Sequence, residues 1–120
     1  MAYPRIGKWK SFEIDISDST TVSDECDLGA PYEYMLLEVP TLTTGTLSVQ
    51  ALRASGGTAR NLYDTDKDGS NAQLLADSSS GAFMWIVPIG GAQYIKVTAG
   101  AAQSADRTFW VRGFNRYLSY

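Results

Sequence analysis

Residues 94–112 read YIKVTAGAAQSADRTFWVR, and this stretch is the clearest indication of the fold class. Its first five and last five residues alternate in character, so that Ile95, Val97, Phe109 and Val111 occupy every second position. That period of two is typical of a strand with one buried face. The small and polar residues between the two runs are typical of a loop. The stretch therefore predicts two β-strands and a connection between them.

The same alternation recurs along the rest of the chain. Residues 11–16 and 47–51 also alternate, whereas residues 34–39 and 83–87 are apolar on both faces and predict central strands that are covered on both sides. Weaker candidate strands lie at 25–28, 60–63 and 72–75. Turn-forming residues separate the strands at 29–31, 40–45, 55–57, 64–71, 77–81, 90–91 and 99–106.

Short strands separated by turns at this spacing predict an all-β fold. We expect a single antiparallel β-sandwich, jelly-roll-like, with eight or nine short strands. An immunoglobulin-like sandwich would show the same alternation. No stretch of about 11 residues has the apolar stripe of an amphipathic helix.

Composition excludes several kinds of chemistry. The chain has 120 residues, a length that fits one domain. It carries 10 basic and 13 acidic residues, which gives a net charge of −3. It contains no histidine, which excludes Ser-His-Asp triads, Cys-His pairs and zinc bound by histidine. A single cysteine excludes an intrachain disulfide. Because the chain is mildly acidic, its overall charge does not indicate binding to nucleic acid.

Neither a signal peptide nor a membrane span is predicted. The first residues, MAYPRIGKWK, lack the apolar core of a secretory signal. The longest apolar run, Ala82–Ile89, has 8 residues, whereas a membrane helix needs about 20. We therefore expect a soluble chain that is made in the cytoplasm and has no membrane partner.

The two ends differ from the middle because they carry large aromatic and basic residues. We divide the chain into an N-terminal arm (1–10), a β-sandwich domain (11–114) and a C-terminal aromatic tail (115–120). The ends either pack back on their own domain or dock on a neighbouring subunit, where aromatic residues and arginine are enriched. The candidate interface residues are Tyr3, Arg5, Trp9, Phe114, Arg116, Tyr117 and Tyr120.

One acidic segment resembles a calcium loop. Asp64, Asp66 and Asp68 alternate before Gly69, as in the first half of an EF-hand. The twelfth position is Leu75, which cannot supply the carboxylate that such a loop requires. A plain loop is the favoured interpretation, with a weak calcium site as the alternative.

No residue set favours catalysis, and no cofactor is predicted. Cys26 has acidic neighbours and no histidine to activate it, so we interpret it as a small buried residue on the inner face of a strand. Assigning a general acid and base would be arbitrary. The available carboxylates are Glu33 with Glu38, or Asp24, Glu25 and Asp27.

Aromatic residues leave a binding function open. They fill sandwich cores and subunit interfaces, which is the favoured interpretation here, but they also stack on sugars. The candidates are Tyr32, Tyr34, Tyr63, Trp85, Tyr94 and Trp110.

Three segments carry a family likeness: VPTLTTGTLSVQA (39–51), NLYD (61–64) and YIKVTAGAAQSADRTF (94–109). In this order they resemble small β-sandwich virion structural proteins of tailed bacteriophages, of the capsid decoration or auxiliary head type. The resemblance covers roughly residues 23 to 113. The aromatic, basic N-terminal arm departs from the shared pattern.

The resemblance implies a non-enzymatic virion protein on the surface of the phage particle. It would stabilise the head at capsomer junctions, with the major capsid protein and copies of itself as partners, as a homo-oligomer when assembled. A tail, baseplate or neck component is the alternative within this class. From another class comes a carbohydrate-binding module, which requires Trp85 or Trp110 to be exposed.

Overall fold

A computed structural model describes residues 6–43, 45–65, 71–73, 75–77 and 81–116, with the backbone alone at 64–65, 71–73 and 75–77. These residues form strands and connecting loops, with no helix among them, so none of them forms a helix able to cross a membrane. The predicted all-β class is confirmed. The strands are β1 (Lys10–Ile14), β2 (Cys26–Val39), β3 (Thr46–Leu52), β4 (Arg60–Asn61), β5 (Tyr63–Thr65), β6 (Asn71–Gln73), β7 (Leu75–Asp77), β8 (Phe83–Ala99) and β9 (Arg107–Phe114).

One antiparallel sheet contains most of the strands. Its order is β1-β9-β2-β8-β3-β4, with β7 also paired to β3, while β5 and β6 form a separate two-stranded ribbon. The predicted pair of sheets in a jelly-roll sandwich is not confirmed. Instead, β2 and β8 pair along both of their halves and join β1 and β9 to β3 and β4 in a single sheet. These two strands have 14 and 17 residues, so they are not the short strands that we expected.

Bulges explain why these two strands are so long. From Asp27 to Tyr32, β2 advances five residues while β8 advances two, and from Tyr32 to Tyr34 β2 advances two while β8 advances four. The turns predicted at 29–31 and 90–91 fall inside these irregularities. Gly90 and Gly91 have φ angles of +62° and +96°, which glycine adopts without strain. A β-bulge bends and twists its strand, so glycine and proline redirect these strands here without ending them.

The bulge in β2 also changes which of its residues face inwards. Even-numbered residues from Cys26 to Tyr32 are buried, and odd-numbered residues from Met35 to Val39 are buried. Side chains of both halves belong to one hydrophobic core. Its largest fully buried members are Phe109, Ile14, Leu28, Met35, Leu37, Leu47 and Ile95.

Two of the predicted strands differ in detail from the structure. β1 ends at Ile14 because the Asp15 carboxylate accepts hydrogen bonds from the Ser17 backbone N–H and hydroxyl, which forms a turn. Ile16 is therefore exposed. Residues 83–87 are not covered on both sides, because Met84 is exposed on the outer side.

Candidate functional site

Four strands present their outward side chains on one continuous surface, which we call the aromatic face. It is formed by β1, β9, the second half of β2 and the first half of β8. Successive side chains of a strand point to opposite sides, so the residues between the core positions project outwards. The aromatic face includes the polar residues Ser11 and Glu13 of β1, together with Ile6, Trp9, Tyr34, Leu36, Glu38, Met84, Ile86, Trp110, Arg112 and Phe114.

Strand register sets the neighbours on this face. Residues directly opposite each other in an antiparallel pair place their side chains about 5 Å apart on the same side of the sheet. β2 lies between β9 and β8, so each outward residue of β2 has one such neighbour on either side. Two rows therefore cross the face: Trp110, Glu38 and Met84, then Arg112, Leu36 and Ile86.

The aromatic face exposes an unusual amount of apolar surface. Eight large hydrophobic side chains of the described residues are exposed, and five of these lie on this face. Contiguous apolar patches are uncommon on monomers and mark sites of interaction when they occur. The five are Ile6 (59% exposed), Trp9 (41%), Met84 (51%), Ile86 (62%) and Trp110 (44%).

Arg112 holds the segment before β1 on this face. Its Nε and Nη2 atoms donate to the carbonyl oxygen of Gly7 at 3.0 and 2.8 Å. Its guanidinium lies 5.1 Å from the ring centroid of Trp9, within the range of a cation–π contact. The Gly7 N–H donates to the carbonyl of Gly113 at 2.7 Å. These contacts fix the position of Trp9 against the sheet.

Arg116 plays a similar role at the other end of the chain. Its guanidinium donates to the Tyr34 hydroxyl and lies 5.0 Å from the centroid of that ring. Its backbone N–H donates to Glu33 Oε1 at 3.0 Å. Tyr34 in turn stacks on Phe114 at a centroid distance of 5.4 Å. The beginning of the predicted aromatic tail is thus packed on β2 and β9.

The structure brings together three of the predicted interface residues, namely Trp9, Phe114 and Arg116. Tyr3, Arg5, Tyr117 and Tyr120 lie outside the described residues. Their segments connect to the described chain at residues 6 and 116, both at the aromatic face. Docking of the chain ends on a neighbouring subunit stays a prediction.

Cys26 lies on the inner face of β2, as predicted. Its side chain is buried, and burial raises the pKa of the thiol to about 11. The nucleophilic form of cysteine is the thiolate. At neutral pH this thiol is therefore protonated and unreactive.

The acidic residues near Cys26 bind loops of their own chain. Glu25 accepts hydrogen bonds from the Ser55 hydroxyl at 2.6 Å and the Gly56 N–H at 2.7 Å, and these lower the pKa of its carboxyl group. Asp27 accepts from the Gln93 amide at 3.0 Å and the Gly29 N–H, with the same effect on its pKa. These carboxylates hold the bend of the sheet and its neighbouring loop in place.

The acidic segment that resembles a calcium loop lies largely outside the described residues. Asp66 and Asp68 lie outside the described residues, and only the backbone of Asp64 is described. Within the part of the chain that is described, no group of three or more histidine, cysteine, aspartate or glutamate side chains is placed to hold a metal ion. A weak calcium site at this loop stays untested.

An open cleft lies at the bend of the sheet, away from the aromatic face. Its volume is about 800 Å³. The loop after β3 forms one wall and the bulge of β8 the other, with Arg53, Arg60 and Tyr94 among the lining residues. Sequence reasoning did not predict this cleft, because two bulges distant in sequence create it.

Sequence reasoning also missed several members of the aromatic face. Met84 and Ile86 were assigned to a strand covered on both sides, and Leu36 likewise. The period-two series Trp110, Arg112 and Phe114 was a usable signal, because Arg112 indicates that this side of β9 meets solvent. An apolar run alone does not show whether a second layer covers it.

The fold and the aromatic face together define a small antiparallel β-sheet protein with an exposed apolar surface. No family model matches the sequence, and no curated protein matches it significantly. Among solved structures, the fold is similar to that of the SPBc2 prophage-derived protein YomS. The match has a TM-score of 0.51 and 14% sequence identity, and it covers 93% of this chain and 96% of YomS. At this identity the likeness establishes the fold.

Proposed function

We propose that this protein is a non-enzymatic structural component of a phage virion, an all-β decoration protein that stabilises the head by binding at capsomer junctions. The aromatic face is its docking surface, and the partners are the major capsid protein and copies of itself. Tail, baseplate or neck is the alternative location on the particle.

The exposed apolar side chains of the aromatic face carry this proposal. Burying apolar surface contributes roughly 25 cal/mol per Å². A face four strands wide, with rings fixed by Arg112 and Arg116, offers such surface at little entropic cost. The fold likeness to a prophage-derived protein and the sequence resemblance to virion proteins both support a phage origin. Many weak contacts repeated on a shell add up to firm attachment.

Density-gradient fractionation of the source lysate, with this chain followed by mass spectrometry, tests the proposal. Decoration predicts co-migration with intact particles, at a copy number comparable to that of the major shell protein. A low copy number on the particle would contradict decoration and favour the tail, baseplate or neck. Recovery from the soluble fractions alone would contradict any virion role.

A carbohydrate-binding module is the second candidate, because Trp110 is exposed as that function requires. It predicts that an oligosaccharide changes the tryptophan fluorescence, and that Trp110→Ala abolishes the change. A glycan array with no binding, together with unchanged fluorescence, would exclude it.

A further inference from the structure

A shallow cleft on the aromatic face is lined by Trp9, Glu38 and Trp110 and has a volume of about 360 Å³. Trp110 is at the centre of β9, and Glu38 lies directly opposite it on β2. Trp9 precedes β1 and is held there by Arg112. The two indole rings are 41% and 44% exposed, so they are open to a ligand.

Glu38 is an acidic residue without a partner among the described residues. No hydrogen bond or ion pair of these residues involves its carboxylate. By contrast, Glu25 accepts hydrogen bonds from the Ser55 hydroxyl and the Gly56 N–H, and Glu33 accepts one from the Arg116 N–H. Two exposed indoles therefore flank a carboxylate that has no partner among the described residues.

This combination suits a cation. Tryptophan attracts cations over its ring more strongly than the other aromatic residues do. A carboxylate only accepts hydrogen bonds, and arginine and lysine only donate them. The aromatic face already holds two guanidinium groups on rings, Arg112 on Trp9 and Arg116 on Tyr34.

The size and polarity of the cleft favour one basic side chain over a sugar. Binding pockets for small molecules have volumes of roughly 300–1,000 Å³, so this cleft is at the lower end. A sugar ring needs several polar partners for its hydroxyl groups, whereas the lining offers a single carboxylate and two indoles. We propose that the cleft between Trp9 and Trp110 binds an arginine or lysine side chain of the partner protein. The inference rests on the proposed function and specifies the chemistry of that partner.

A titration of the isolated protein tests this inference. The probes are N-acetyl-arginine amide and N-acetyl-lysine amide, with N-acetyl-glutamine amide as the neutral control, followed through the indole N–H resonances of Trp9, Trp85 and Trp110. We expect both cationic probes to shift the Trp9 and Trp110 signals at millimolar concentration. The neutral probe should shift neither, and Trp85 should not respond.

Variants identify the groups responsible. Glu38→Gln should weaken binding of the arginine probe about threefold, as loss of an exposed ion pair does. Trp110→Ala should weaken it by a similar factor. Asp18→Asn, which removes an exposed carboxylate from the turn after β1, is the matched control and should bind normally. Equal urea midpoints would show that the variants are folded.

Three results would overturn the inference: no shift of Trp9 and Trp110, normal affinity of Glu38→Gln, or a response to oligosaccharides in place of the cations. Co-migration with the particle despite any of these would leave the proposed function standing. Failure to co-migrate, with cation binding intact, would instead contradict the proposed function.

Discussion

The two halves of the sheet share β2 and β8 but differ in what their outer sides present. On the half formed with β3 and β4, Gln50 bonds Ser48, Asn61 and Thr98, each at 2.9 Å. The Ser48 hydroxyl also donates to the Thr98 carbonyl. In this half, which we call the polar half, these four side chains thus satisfy one another's hydrogen-bonding groups. On the aromatic half, β8 exposes Met84 and Ile86.

If the aromatic face is the docking surface, as we propose, folding and binding depend on different halves of the sheet. Polar side chains that bond one another stabilise the fold, and the hydrogen-bonding groups used in this way are not available to a partner. Exposed apolar side chains add little to the stability of the monomer. Burying them under a partner contributes favourable free energy of binding. Substitutions in the two halves should therefore have separable effects.

The largest expected effect comes from a pair of adjacent leucines on β2. Leu37 is fully buried, whereas Leu36 is half-buried on the aromatic face. Leu37→Ala should lower the free energy of unfolding by about 2–5 kcal/mol, because it leaves a cavity in the shared core. Leu36→Ala should lower it by less than about 1 kcal/mol. Urea unfolding checks both, and equal losses would contradict the assignment of the two faces.

A moderate effect is expected from Gln50→Ala in the polar half. Gln50 is buried, and its removal deprives the buried Ser48 hydroxyl and the half-buried Thr98 hydroxyl of a hydrogen-bond partner. Loss of a buried hydrogen-bond partner costs about 1–3 kcal/mol. Urea unfolding should show this loss, while particle association of the folded variant stays normal. Weakened association would mean that the polar half also docks.

Ile86→Ser should leave stability almost unchanged and weaken binding. Substitutions at exposed positions usually change stability by less than about 0.5 kcal/mol. If Ile86 is an anchor of the docking surface, its loss should weaken particle association about tenfold. Sedimentation of purified variants with particles measures this. Tyr63→Ser removes a similarly exposed side chain from β5 and should bind normally.

The smallest effect is a pH dependence that originates in the polar half. Hydrogen bonds lower the pKa of Glu25 and of Asp27 in the folded state. Their contribution to stability is therefore present above the ordinary carboxyl values near pH 4 and is lost as the pH falls through the lowered ones. Urea midpoints measured against pH should decline on acidification, and Glu25→Gln should flatten the decline.

Glu13→Gln provides the opposite control for this experiment. Burial and the nearby Asp106, Asp15 and Asp24 raise the pKa of the Glu13 carboxyl group. Its ionisation therefore opposes folding at neutral pH, and the glutamine variant should be slightly more stable there. If both variants changed the profile in the same direction, local hydrogen bonding would not explain the pH dependence.

Much of the strand content could be predicted from period two alone. The runs at 47–51, 94–98 and 108–112 all lie in strands, and Cys26 faces inwards as expected. The continuity of β2 and β8 could not be predicted, because Gly29-Ala30-Pro31 and Gly90-Gly91 are ordinary turn signals. Whether such residues end a strand or bulge within it depends on a partner strand distant in sequence.

The aromatic face was only partly predictable for the same reason. Trp9, Phe114 and Arg116 were identified as unusual aromatic and basic residues near the chain ends. Met84 and Ile86 gave no such signal, because an apolar run looks alike whether one side or both are covered. Glu38 could not be assigned to the cleft from the sequence, because only the strand register places it opposite Trp110.

Hydroxyl-radical footprinting of the chain, free and bound to particles, tests the role of the aromatic face most directly. If this face is the docking surface, Trp9, Met84 and Trp110 should be strongly protected on the particle. Tyr63, exposed elsewhere on the molecule, should react equally in both states. Unchanged reactivity of the two tryptophans on the particle, with protection at Tyr63 or in the polar half, would contradict it.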